Sequence, residues 1–270
     1  MEYIHEIGMR AHDLPARTPA ELLQQTRELD IKYVQLALRK SFNGIDWTNH
    51  TFSTGIAAKI REDLGDLRIS VLGSYIDLSA DEESFKQHKA VFEQNMLFAK
   101  YLNAGVVGTE TGVRLCSNRE EDYKNVVRNL KELVRDAEKL GVVLGIEGVA
   151  VHPVNTPEMM KKLCDEINSP NMLVIFDPVN YITEENYMQQ DEMIVKTFEL
   201  LSDKLTAVHL KDFDIVDGKK TEMRVGEGIF NVKLLFEQIR KHKPYIDVLL
   251  EGSSAEQFET ERRNIMNVEG

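Results

Sequence analysis

The chain has 270 residues, 42% hydrophobic and 29% charged, with a net charge of −12, a composition in the ordinary range of globular proteins. An acidic chain without a lysine- and arginine-rich stripe lacks the phosphate-neutralising surface that nucleic-acid binding needs, so no nucleic-acid partner is expected. The opening MEYIHEIGMRAHD is too charged for a signal peptide, and no apolar run approaches the roughly 20 residues of a membrane span, so the expectation is a cytoplasmic protein without a membrane partner.

Along the chain, eight apolar runs read as strands: IHEIGMR, KYVQLAL, LRISVLGSY, AGVVGT, VVLGIE, MLVIFD, LTAVHL and DVLLE. Segments of helical period separate them. Thr18-Pro19-Ala20-Glu21 has a threonine cap, proline at the first helical position and glutamate three residues on, followed by Leu22, Leu23 and Leu29. Phe85, Phe92, Met96 and Ala99 share one stripe, and Val126, Leu130, Val134, Ala137 and Leu140 form another. Thr156-Pro157-Glu158 opens a further helix, Val232, Leu235, Phe236 and Ile239 line the next, and a polar segment after Ser254 closes the chain.

Strands alternating with helices imply parallel pairing with right-handed crossovers. Eight such units predict a closed (β/α)8 TIM barrel, an α/β fold forming a single domain over residues 1–270. A dinucleotide-binding sheet would need a glycine-rich turn after its first strand; GMRAHD has one glycine, and no GxxxxGK[ST] occurs. Cys116 and Cys164 stand far apart without metal-site spacing and read as reduced thiols, which suits the cytosol.

The chemistry lies at strand ends. Glu147 closes VVLGIE, Asp177 follows MLVIF, His209 ends LTAVH and Glu251 follows DVLL. A barrel builds its active site at this carboxyl rim. Four like-placed ionisable residues there would leave uncompensated charge unless a cation joined them. Three carboxylates and an imidazole favour a hard divalent ion, Mn2+ first, with Mg2+, Co2+ and Zn2+ as alternatives. Glu147, Asp177, His209 and Glu251 are therefore the expected metal ligands, and Glu147 and Glu251 the expected catalytic acid/base pair. Proton abstraction beside a carbonyl, through an enediolate, is the reaction that this set suits best.

The segments GIEG, IFDPVN, VHLKD, VGEG and LLEG resemble those of the xylose-isomerase-like sugar isomerase and epimerase barrels. The resemblance implies a metal-dependent isomerase or epimerase of a small sugar or keto-polyol, with the four ligand roles on the residues just named. Two positions depart from the epimerase pattern. Asn180 stands where a histidine three residues beyond the metal-binding aspartate is usual, and Ile215 stands where an arginine six residues beyond the histidine is common. A keto-polyol dehydratase on the same site is the rival enzyme reading, and a sugar-binding barrel without turnover the rival from another class. Barrels of this family commonly pair, so a homo-oligomer is also considered.

Asn180, His152, Glu110, His12 and Lys211 are the candidate substrate contacts, each on or just beyond a strand end. Asp13 is read as a cap or ion-pair partner of Arg10, and Asp212 as a support for a neighbouring imidazole or lysine. The VGEG glycines offer backbone amides to an anion, with Arg224 beside them as one cationic partner. Phe42 and Trp47 are candidates for the pocket mouth.

Overall fold

A computed structural model describes residues 6–43, 45, 52–112 and 118–269. Its strands are β1 (Ile7–Arg10), β2 (Tyr33–Leu36), β3 (Arg68–Gly73), β4 (Val106–Glu110), β5 (Leu144–Glu147), β6 (Met172–Phe176), β7 (Leu205–Leu210), β8 (Asp212–Val216), β9 (Lys219–Met223) and β10 (Asp247–Leu250). Eight of them, all but β8 and β9, pair in parallel and close into a barrel in the order β1-β10-β7-β6-β5-β4-β3-β2. The expected (β/α)8 barrel is the observed fold.

The helices form where the caps predict. Thr18 accepts a hydrogen bond from Glu21 N and starts Pro19–Glu28, while Thr156 accepts from Met159 N and starts Pro157–Ile167. Glu82–Leu102, Arg119–Leu140, Val232–His242 and Ala255–Glu269 match the remaining periodic segments. Thr54–Leu64 and Gln190–Leu201 are two helices that periodicity alone did not mark. No helix among the described residues is long and apolar enough to cross a membrane.

Two apolar layers hold the barrel. Outside it, helix and strand side chains share one large core, in which Phe92, Phe176, Phe198 and Phe236 are fully buried. Inside it, Tyr33, Val71, Val106, Ile175, Ala207 and Leu249 form a plug of their own. The plug needs small neighbours: a side chain at Gly8 would run into the Tyr33 ring, and one at Gly145 into Ile175. Each such apolar side chain removed from water contributes about 1.5–3 kcal/mol. The filled interior raises the polar strand ends onto the carboxyl rim.

Phe42 does not reach a pocket mouth; it is fully buried in the outer core. Trp47 and Cys116 lie outside the described residues. Cys164 is a buried free thiol.

Candidate metal centre

Ligating atoms of Glu147, Asp177 and His209 all lie within 4.8 Å of one another, and all three side chains are buried. Glu147 ends β5, Asp177 follows β6 directly and His209 is the penultimate residue of β7, so three adjacent strands deliver them. Glu251, just beyond β10, joins through His209 Nδ1, which lies 3.2 Å from Glu251 Oε1 and 3.2 Å from Glu147 Oε2. Neither ring nitrogen of His209 has a hydrogen-bond partner among the described residues. Nδ1 lies between the two carboxylates, but a buried Nε2 with no partner is costly unless something absent from the chain binds it. An imidazole and carboxylates around it form a donor set that fits a divalent cation.

Two neutralising groups sit on the same cluster. Lys211 Nζ lies 2.9 Å from Asp177 Oδ2 and 3.3 Å from Glu251 Oε2, and it donates to Asn180 Oδ1 at 2.8 Å. Asn180 Nδ2 in turn donates to Glu147 Oε1 at 2.5 Å, and Asn180 N donates to Asp177 Oδ1 at 3.0 Å. Asn180 and Lys211, both expected as substrate contacts, thus also bridge the two glutamates. Arg10 is the second cation. It chelates Asp13 through Nε (2.8 Å) and Nη2 (3.1 Å) and reaches Glu251 Oε2 at 3.5 Å. Asp13 is Arg10's ion-pair partner, and its Oδ2 also takes the N–H of Gly252.

These contacts set the charges. Burial alone would depress His209, yet the Glu147 and Glu251 carboxylates hold it up at about 9. Burial opposes ionisation of Glu251, but His209, Lys211 and Arg10 bring it down to about 2. Burial pushes Asp177 up to about 6 against the pull of Lys211. Lys211 itself is raised despite its burial, by Asp177 first and Glu251 next.

Above the cluster opens a cavity of about 360 Å³. Asn180, Lys211 and Glu251 form its floor, while Arg10, His12, Gln35 and Tyr75 come from the loops and strands on the opposite side. Glu110 and Glu222 contribute carboxylates to the wall. Burial, then the charges of Glu147 and Glu251, push Glu110 up to about 8. Sequence reasoning missed Gln35, Tyr75 and Glu222. Gln35 was visible as a buried polar residue inside a strand, and it donates to the Tyr75 hydroxyl at 2.5 Å.

His152 is not among the lining side chains. It is buried behind Glu110, its Nδ1 3.6 Å from Glu110 Oε2, and burial lowers its pKa. The anion reading of VGEG is also corrected. Asp212 accepts from Phe213 N (2.8 Å), Gly226 N (2.9 Å), Gly228 N (3.1 Å) and Phe230 N (3.0 Å), so the chain's own carboxylate takes those amides. Arg224 pairs with Glu227 at 3.8 Å.

The xylose isomerase-like TIM barrel family model matches residues 23–266. The chain belongs to that family. No protein of curated function matches the sequence. Among solved structures, this xylose isomerase-like barrel is similar to the IolI protein with a bound zinc atom, at 17% identity and a TM-score of 0.77, covering 98% of each chain. It is also similar to a D-tagatose 3-epimerase-like protein (17% identity, TM-score 0.74, 98% of each chain). A third similar structure is apo 3-keto-D-glucoside 4-epimerase from E. coli (16% identity, TM-score 0.70), where the match covers 98% of this chain and 99% of that one. At these identities the likeness is one of fold.

Proposed function

We propose that this xylose isomerase-like barrel is a divalent-metal-dependent isomerase or epimerase of a small sugar or keto-polyol. The observation that carries the reading is the buried Glu147–Asp177–His209 cluster beneath the floor of a polar cavity, with Glu251 beside it and the imidazole Nε2 without a partner among the described residues. The similar folds of an epimerase, an epimerase-like protein and a zinc-containing barrel support it.

Glu147, Asp177, His209 and Glu251 would hold the ion, with Mn2+ proposed for this oxygen-rich set. When bound, such an ion polarises a carbonyl oxygen and acidifies the adjacent C–H. The chain's own groups do the rest. Lys211 and Arg10 keep Glu251 a carboxylate, able to accept a proton at Oε1 or Oε2. Asn180 fixes Glu147 through Oε1, so the second carboxylate is oriented across the cluster. Removal of a proton from one face by one glutamate, with delivery of a proton to the opposite face by the other in its protonated form, inverts a carbon; delivery to the neighbouring carbon, with the hydroxyl proton passing to the former carbonyl oxygen, moves the carbonyl. Lys211 lines the cavity, and its ion pairs with Asp177 and Glu251 hold those carboxylates in place where the histidine and arginine of the epimerase pattern are missing.

The test is solvent exchange. Incubation of the Mn2+-loaded protein with ketoses in D2O is expected to place deuterium on the carbon next to the carbonyl, and Glu251→Gln to reduce the rate by about 10²-fold or more. No exchange across a broad panel of ketoses and keto-polyols would remove the reading. One feature favours the dehydratase alternative: Glu110 lines the cavity with a carboxyl that burial shifts toward its protonated form, a proton source for a departing hydroxyl. Loss of water from the product, read by mass spectrometry, separates the two.

A further inference from the structure

The hairpin β8–β9 interrupts the path from β7 to the helix Val232–His242, and a tight turn at Asp217-Gly218 closes it, both residues having positive φ. It is pinned at both ends. At its root, the buried Asp212 carboxylate takes four backbone N–H groups, three of them from the segment Gly226–Phe230 that leads into that helix. Gly228 makes this possible, because a Cβ there would overlap Asp212 Oδ1 and Phe213 O. On the returning strand, Lys220 Nζ donates to the carbonyls of Val179 (3.0 Å) and Ile182 (2.6 Å), and Lys220 N donates to Glu184 Oε1 at 3.0 Å. Phe213 is fully buried beneath it.

This anchoring has two consequences for the cavity. First, the loop after the seventh barrel strand and the helix that follows are where such barrels often cradle a phosphate. Here that nest of amides is saturated by a carboxylate of the chain itself, and a phosphate would have to displace four hydrogen bonds to enter it. Second, the rigid hairpin holds Glu222 in the cavity wall, where its carboxylate has no ion pair or hydrogen bond among the described residues. The cavity's cations do not offset it. Arg10 is spent on Asp13 and Glu251, and Lys211 on Asp177, Glu251 and Asn180. Lys40 remains, exposed at the rim over the Tyr75 ring.

From these observations we infer that the hairpin Asp212–Met223 is a fixed specificity element, which restricts the cavity to uncharged polyhydroxylated carbonyl compounds and turns away phosphorylated ones. Carboxylates such as Glu222 accept hydrogen bonds from sugar hydroxyls and repel a phosphate at the same point. The inference rests on the cavity being the substrate site proposed above.

The experiment uses metal-free protein at constant ionic strength, with inorganic phosphate and D-fructose 6-phosphate as probes, read by ligand-observed NMR and thermal shift. Wild type is expected to show no saturable millimolar binding. Glu222→Lys is expected to bind both probes at least about tenfold more tightly than the wild-type limit, because a like charge is replaced by an opposite one. Glu222 is exposed, so neither this substitution nor the milder Glu222→Gln threatens folding, and circular dichroism checks that. Saturable binding to wild type that Lys40→Ala abolishes would overturn the inference, by revealing a phosphate subsite at the rim. A Glu222→Lys protein that stays blind to both probes would overturn it as well, since Glu222 would then not be the excluding group. Neither result depends on metal or turnover, so the isomerase or epimerase reading is judged separately by the exchange assay.

Discussion

At the amino end of the barrel, Arg68 forms a bidentate pair with Asp247 (2.6 and 2.7 Å) and lies over the Tyr33 ring, 4.6 Å from its centroid. The Tyr33 hydroxyl accepts from Val248 N at 3.1 Å and donates to the Glu6 carbonyl. At the carboxyl end, His209 is fully buried with Nε2 unpartnered among the described residues, and three carboxylates crowd around it with one lysine and one arginine to answer them. Both ends bring ionisable groups together between strands, half exposed at the amino end and buried at the carboxyl end. One satisfies them locally, as a group kept for stability must. The other leaves them short of partners, which a fold tolerates where a ligand completes the set.

The sharpest way to break this contrast is to remove the unsatisfied imidazole. His209→Ala should lower divalent-metal affinity by at least about 10²-fold, since even changes behind a ligand cost about 10–100-fold. Calorimetric titration of Mn2+ into chelator-treated protein measures it. In the metal-free protein the same substitution also removes the imidazolium that Glu147 and Glu251 hold up at about 9, so stability should fall at neutral pH as those buried carboxylates lose their counter-charge. Unchanged affinity would mean that the three-strand cluster is not the metal centre.

Arg68→Ala makes the opposite cut. It strands Asp247, a mostly buried carboxylate, and removes the cation from the Tyr33 ring. With the arginine half exposed and screened by water, a loss of about 1–2 kcal/mol is expected, or roughly 2–4 °C of melting temperature per kcal/mol at this chain length. Metal affinity should not move. If it fell with stability, the two ends would be coupled through the plug, and the division between a structural and a functional end would fail.

The sequence made the two ends unequally legible. All eight barrel strands are apolar runs buried on both faces, so their existence and order could be read directly, and with them the rim positions of Glu147, Asp177, His209 and Glu251. Their position at strand ends is a pattern of chain spacing. What closes around them is not. Asn180 and Lys211 are seen as a bridge between two glutamates only once β5, β6, β7 and β10 are side by side. The hairpin was missed because Asp212–Met223 is polar and half exposed, without the apolar alternation that marks a strand. Its one local signal, Asp217-Gly218, is the dipeptide that a two-residue turn with positive φ prefers. VGEG was read correctly as an anion-holding turn but for the wrong anion, because nothing in the spacing shows that Asp212 folds back onto it.

The smallest expected effect concerns Glu110, which stands at the functional end without being part of the cluster. Its carboxyl is raised from 4.5 to about 8, by burial first and by Glu147 and Glu251 next. The folded protein therefore binds this proton more tightly than the unfolded chain does. The stability contributed by the protonated carboxyl is fully present below the unfolded value and is lost as pH rises through the folded one. Glu110→Gln removes the titration and keeps the shape. The melting temperature of the variant relative to wild type, both metal-free, should climb between pH 5 and pH 8.5, by an amount on the order of 1 kcal/mol after allowance for partial solvent screening. A difference that stays flat over this range would show a carboxyl already ionised and hydrated at neutral pH. Glu110 would then lose its place as a proton source, and with it the observation that favours dehydration over isomerisation.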